Sequence, residues 1–116
     1  MKPEEDVRKA IKKYLEIRRW YVKITVSGTL MSGLPDLLCC HPKYGVRLIE
    51  VKLPEMKGSR FTPAQLKEFP RLYEHNAPIY ILTAGDDIEY AKLFLPSNLY
   101  DYMDKPITLI ERLTIK

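Results

Sequence analysis

The stretch Leu48-Ile49-Glu50-Val51-Lys52-Leu53 limits this chain more than any other. It is apolar and β-branched enough to be a buried strand, yet it carries a carboxylate and an ammonium. Side chains alternate along a strand, so Glu50 and Lys52 emerge on one face, two residues apart. Charges in such a place are costly unless they are paired or bound to a metal. A second stretch, Gly33-Leu34-Pro35-Asp36, precedes it and opens another apolar run, Asp36 to His41.

Between the two runs, Pro42-Lys43-Tyr44-Gly45 is a turn signal, so Asp36–His41 and Val46–Leu53 are expected to form a hairpin. In a hairpin the start of the first strand lies beside the end of the second. Asp36 is thereby brought to Glu50 and Lys52, and two carboxylates and an amine meet at one end of a sheet. Mg²⁺ prefers oxygen ligands and binds through one or two carboxylates while keeping several waters. Asp36 and Glu50 supply the carboxylates, and the Val51 backbone carbonyl supplies a neutral oxygen. Such an ion polarises a phosphoryl group and lowers the pKa of bound water. Lys52 is placed to orient or deprotonate that water, or to stabilise the charge developing on phosphorus.

Around this pair of strands the chain reads as a mixed α/β domain. Pro3 with Glu4, Glu5 and Asp6 is a helix start, with acids against the positive end of the dipole. Val7, Ala10, Ile11, Tyr14 and Leu15 continue it, and Lys12, Lys13, Arg18 and Arg19 gather toward its end. Glu4 shares a face with Val7 and Ile11. Trp20 to Val26 alternates as a strand, with Trp20 expected in the core. Thr62-Pro63-Ala64-Gln65 is a strong helix start, and that helix is expected to reach about Asn76, distorted at Pro70. Pro78–Thr83 is a buried strand, Asp86–Phe94 a helix, Leu99–Met103 a short helix and Ile107–Ile115 an edge strand.

The 116 residues suit one domain with a single core, and no internal boundary or repeat appears. The net charge of +4 permits a nucleic-acid partner without requiring one. Cys39 and Cys40 are adjacent, point to opposite faces and have no other cysteines to bridge. They imply a reducing, cytoplasmic setting and offer no metal-ligand spacing. No apolar run approaches the roughly 20 residues of a membrane span, and the charged N-terminus is unlike a signal peptide.

Taken in order, these features resemble the PD-(D/E)xK nuclease superfamily, with Pro35-Asp36 and Glu50-Val51-Lys52 as its two halves. They resemble more closely the VRR-NUC domain in its short stand-alone form. The likeness runs from about Glu4 to Leu95, with 96–116 as a C-terminal extension. It includes the acid ahead of the first helix, Ser27-Gly28, the Gly33-x-Pro35-Asp36 turn, Glu50-Val51-Lys52 and Thr62-Pro63-x-Gln65. It implies a restriction-endonuclease-like mixed β-sheet flanked by helices. It also implies a Mg²⁺- or Mn²⁺-dependent DNA endonuclease, a homodimer selective for branched DNA such as Holliday junctions.

Under that resemblance Asp36 and Glu50 are metal ligands and Lys52 is the catalytic lysine. Gln65 is a further active-site group, although glutamine three residues after a threonine cap also closes a capping box. Glu4, with Glu5 as its neighbour, binds a second metal or positions water. Lys57, Ser59 and Arg60 follow the strand closely enough to hold a phosphate backbone. Ser32 stands where many relatives carry a lysine before the glycine. A less selective flap, nick or duplex nuclease and a non-catalytic DNA-binding module are the alternatives. His41 and His75 are expected in surface or capping roles.

Overall fold

A computed structural model of the chain describes residues 3–25, 33–56 and 60–105. Helix α1 (Pro3–Ile17) leads into β1 (Tyr21–Ile24), β2 (Leu37–His41) and β3 (Gly45–Val51). Helix α2 (Pro63–Glu74), β4 (Ile79–Leu82) and the short α3 (Asp87–Ala91) follow. The described part ends with 3-10 turns at Lys92–Phe94 and Leu99–Asp101. The expected edge strand at Ile107–Ile115 lies outside the described residues, as do Ser27-Gly28, Ser32, Lys57 and Ser59.

The four strands form one mixed sheet in the order β1-β2-β3-β4, flanked by helices as the sequence leads one to expect. β1 and β2 pair antiparallel, and so do β2 and β3, whose register sets Leu37 against Ile49 and His41 against Gly45. β3 and β4 pair parallel, with Val51 beside Leu82. That parallel pair is reached by the α2 crossover, since parallel neighbours cannot be joined by a tight turn.

Alternation along the strands divides the core. Leu37, Cys39, Ile49, Val51 and Leu82 pack with Ile11 and Leu15 of α1 and with Trp20. Ile79 and Ile81 pack with Phe69 of α2 and with Leu99 and Met103. Glu50 belongs to the second face by alternation. Two close approaches fix the helices. A Cβ on Gly85 would sit 2.6 Å from the Ala10 carbonyl oxygen of α1. A Cβ on Gly33, whose φ is +90°, would sit 2.8 Å from Cγ of Glu68 on α2.

The elements are shorter than the sequence suggests. β1 ends at Ile24 and α1 at Ile17, so Arg18 and Arg19 lie beyond the helix and its last turn holds no basic residue. Arg19 instead turns the chain at a positive φ of 72°. Pro70 is buried inside α2 without ending it. The expected helix over 86–94 is five α-helical residues capped by Asp86, followed by a 3-10 turn.

β4 could present an open edge, but the side chain of Asn98 covers it. Its amide oxygen accepts from Ile81 N–H at 2.8 Å, and its Nδ2 donates to Ile81 C=O at 2.8 Å. This buried side chain takes the place of a fifth strand at that point.

Candidate metal centre at the sheet end

The hairpin register places the site. One residue beyond the Leu37–Ile49 pair on each strand stand Asp36 and Glu50. Thr25 holds the turn before β2 against the end of β1: its N–H donates to Asp36 C=O at 2.9 Å and its hydroxyl to Pro35 C=O at 2.5 Å. The Asp36 carboxylate accepts from Val51 N–H at 3.0 Å, which locks the acid onto the end of β3.

Glu4 reaches the same point from the first turn of α1. One carboxylate oxygen from each of Glu4, Asp36 and Glu50 lies within 4.8 Å of the others. Three oxygens so close repel one another unless protons or a cation intervene. The Glu5 neighbour is not part of the cluster, so the helix phase selects Glu4.

Glu50 is the centre of this network. Its Oε2 accepts from Gln65 Nε2 at 3.0 Å and lies 3.4 Å from Lys52 Nζ. Its Oε1 is buried and has no hydrogen-bond partner. Burial, then the Asp36 charge, push the Glu50 carboxyl up to about 8, and Lys52 offsets only part of this. Burial also raises Asp36 above the ordinary carboxylate range, opposed by the Val51 N–H. A buried, orphaned acceptor beside two more acids fits a hard cation, which would satisfy the orphan and relieve the repulsion.

Lys52 is buried like Glu50, at 2% exposure against 1%. Its Nζ donates to Arg60 C=O at 2.9 Å and to Gln65 Oε1 at 3.3 Å, and it stands 4.7 Å from the centre of the Phe61 ring. Gln65 meets the Glu50 carboxylate from the first turn of α2. It closes the Thr62 capping box, with Thr62 N–H donating to Oε1 at 3.1 Å, and its amide spans Lys52 and Glu50.

Arg60 meets this network through its backbone, while its residue as a whole is exposed. Trp20 is core, and His41 accepts from Lys43 N–H at 3.0 Å in the hairpin turn. Cys39 is buried, which pushes its thiol up to about 12 and leaves it unreactive. Arg8, one turn after Glu4, is a residue that the sequence reading missed. Its charge lowers the Asp36 pKa, and its Nε is buried without a hydrogen-bond partner. Its i,i+4 spacing from Glu4 was the available signal.

The comparisons with known proteins disagree with one another. A family model described as response regulator receiver domain matches residues 3–115. That match points to a phosphoacceptor signalling domain and runs against the nuclease activity, the enzyme class and the family resemblance expected from the sequence. A solved structure titled "VRR_NUC domain" is similar over 78% of this chain and 92% of that one, at 27% identity and a TM-score of 0.61. No curated protein matches.

The sheet decides between them. A receiver domain is a doubly wound fold with strand order 2-1-3-4-5, its strands parallel and joined by helical crossovers. Here α1 precedes β1; β1, β2 and β3 are consecutive antiparallel neighbours; and among the described residues only β3 and β4 run parallel. No local adjustment converts one topology into the other, because each antiparallel pair would have to reverse a strand. We therefore do not place the chain in the receiver family on that match, and the mixed fold is the one shared with the VRR_NUC structure.

Proposed function

We propose that this chain hydrolyses phosphodiester bonds in DNA with a divalent cation, Mg²⁺ or Mn²⁺. The observation that carries the reading is the convergence of Glu4, Asp36 and Glu50 around the orphaned Glu50 Oε1, with Lys52 and Gln65 on the same carboxylate. The receiver-domain match stands against this reading and the sheet topology stands against that match. The three acids would hold the ion, with the Val51 carbonyl as a neutral ligand. When bound, the ion polarises a phosphoryl oxygen and lowers the pKa of water.

The protein's own groups supply the rest. Lys52 places a positive charge where negative charge develops on the scissile phosphate. Gln65 holds Glu50 and Lys52 in register. Asp36 is oriented by Val51 N–H, so the donor atoms are set before substrate arrives. Arg60 is exposed and its carbonyl holds Lys52, so its guanidinium is offered to a phosphate backbone.

A second reading, phosphoacceptor signalling, has the family-model match in its favour. Asp36 would then accept a phosphoryl group. One experiment separates the two. The protein is incubated with labelled duplex, flap and four-way-junction DNA in EDTA, Mg²⁺ or Mn²⁺, and in parallel with acetyl phosphate and Mg²⁺ followed by intact mass measurement. Metal-dependent cleavage, lost in Asp36→Asn and Glu50→Gln, is expected. A gain of one phosphoryl group that Asp36→Asn abolishes, with every DNA intact, would overturn the proposal in favour of the second reading.

A further inference from the structure

We propose that Arg8 binds a non-bridging oxygen of the phosphate that the acidic cluster presents to its cation. The inference rests on the cation site described above and adds a substrate contact to it.

Arg8 lies one helical turn beyond Glu4 on α1, so the two side chains share a face. Glu4 reaches Asp36 and Glu50, which turns that face of α1 toward the cluster. Its charge acts on Asp36. Its Nε is buried and donates to nothing. A guanidinium bound side-on to a carboxylate would use Nε as well, a geometry in which arginine is strong. Arg8 instead keeps a buried N–H donor unused beside a site built for a cation.

An unused buried donor is costly unless a ligand satisfies it. The ligand that fits is anionic, has several acceptor oxygens and is drawn to the cation as well. A phosphate group has these properties. Lysine would serve less well, as a point charge without the fixed fork. Lys52, by contrast, is already engaged: it donates to Arg60 C=O and Gln65 and faces Glu50.

The test uses the full chain as wild type, Arg8→Gln and Arg8→Lys. Circular dichroism and thermal melting first establish that each variant folds. Mn²⁺ binding is measured by calorimetry on the protein alone, thymidine 5′-monophosphate binding with Mg²⁺ present, and DNA cleavage separately. Arg8→Gln is expected to bind Mn²⁺ as tightly as wild type or more tightly, because a positive charge has left the cluster. It is expected to bind the nucleotide at least tenfold more weakly, with Arg8→Lys between the two. Unchanged nucleotide affinity in Arg8→Gln would overturn the role, as would a loss of Mn²⁺ affinity that accounts for the nucleotide effect. Absence of cleavage in the wild type with the nucleotide effect intact would count against the nuclease reading alone.

Discussion

At the scale of single residues, Glu50 is where function and stability oppose each other. A carboxyl that titrates near 8 in the fold and near 4.5 in the unfolded chain binds more protons when folded between those values. Stability therefore falls as pH rises through that window, the reverse of an acid held by a good ion pair. Heating the metal-free protein at a series of pH values should show melting temperature declining from about pH 5 to pH 8, the window set by these two values. Glu50→Gln should flatten that slope and raise stability at pH 8, because the amide needs no counter-charge. Mn²⁺ affinity should rise over the same pH range in the wild type, since binding displaces protons, and should collapse in the variant. A wild-type slope that survives in Glu50→Gln would assign it to another group.

At the scale of elements, α2 joins a helix cap to the site through one side chain. Thr62→Ala removes the cap oxygen and leaves Gln65 bonded to Glu50; it should cost about 1 kcal/mol of stability and leave the proposed cleavage within a few-fold. Gln65→Ala removes the cap closure and the bridge between Glu50 and Lys52, so denaturant melts and cleavage assays should show both properties falling. Equal loss of cleavage in the two variants would mean that Gln65 acts through the helix alone. Asn98→Leu leaves Ile81 N–H and C=O without their partners and should cost about 1–3 kcal/mol per orphaned group, with no change in metal affinity.

These elements were unequally legible. The hairpin, the Thr62 helix and the meeting of Asp36 with Glu50 could be read because alternation, turn residues and capping chemistry act over a few residues. The membership of Glu4 followed from helical spacing. Asn98 was unreadable, since a side chain standing in for a strand depends on a contact 17 residues away. Arg8 was overlooked because a charge on an amphipathic helix usually faces water. The unpaired Nε is a tertiary fact.

At the scale of the whole molecule, the site exists only if α1 docks correctly, because Glu4 comes from one end of a helix that no strand ladder holds. The docking depends on Gly85, whose missing side chain lets α1 lie against the turn after β4. Gly85→Ala would place a methyl 2.6 Å from the Ala10 carbonyl oxygen and 3.0 Å from the Ile11 nitrogen, both backbone atoms of a packed helix. The helix has to shift, at a cost of about 1–3 kcal/mol for overpacking, and Glu4 moves with it. Calorimetry should then show weaker Mn²⁺ binding in a protein whose Asp36 and Glu50 are untouched. Gly45→Ala supplies the contrast. It opens β3, directly after the hairpin turn, at φ +82° with open space around its Cβ. An alanine there is strained by its backbone, costing about 1 kcal/mol, but nothing carries that strain to α1. Comparable stability losses with Mn²⁺ affinity reduced only in Gly85→Ala would tie the cation to the seating of α1. Equal affinity in both variants would mean that Asp36 and Glu50 hold the ion without the helix, and Glu4 would lose its place among the ligands.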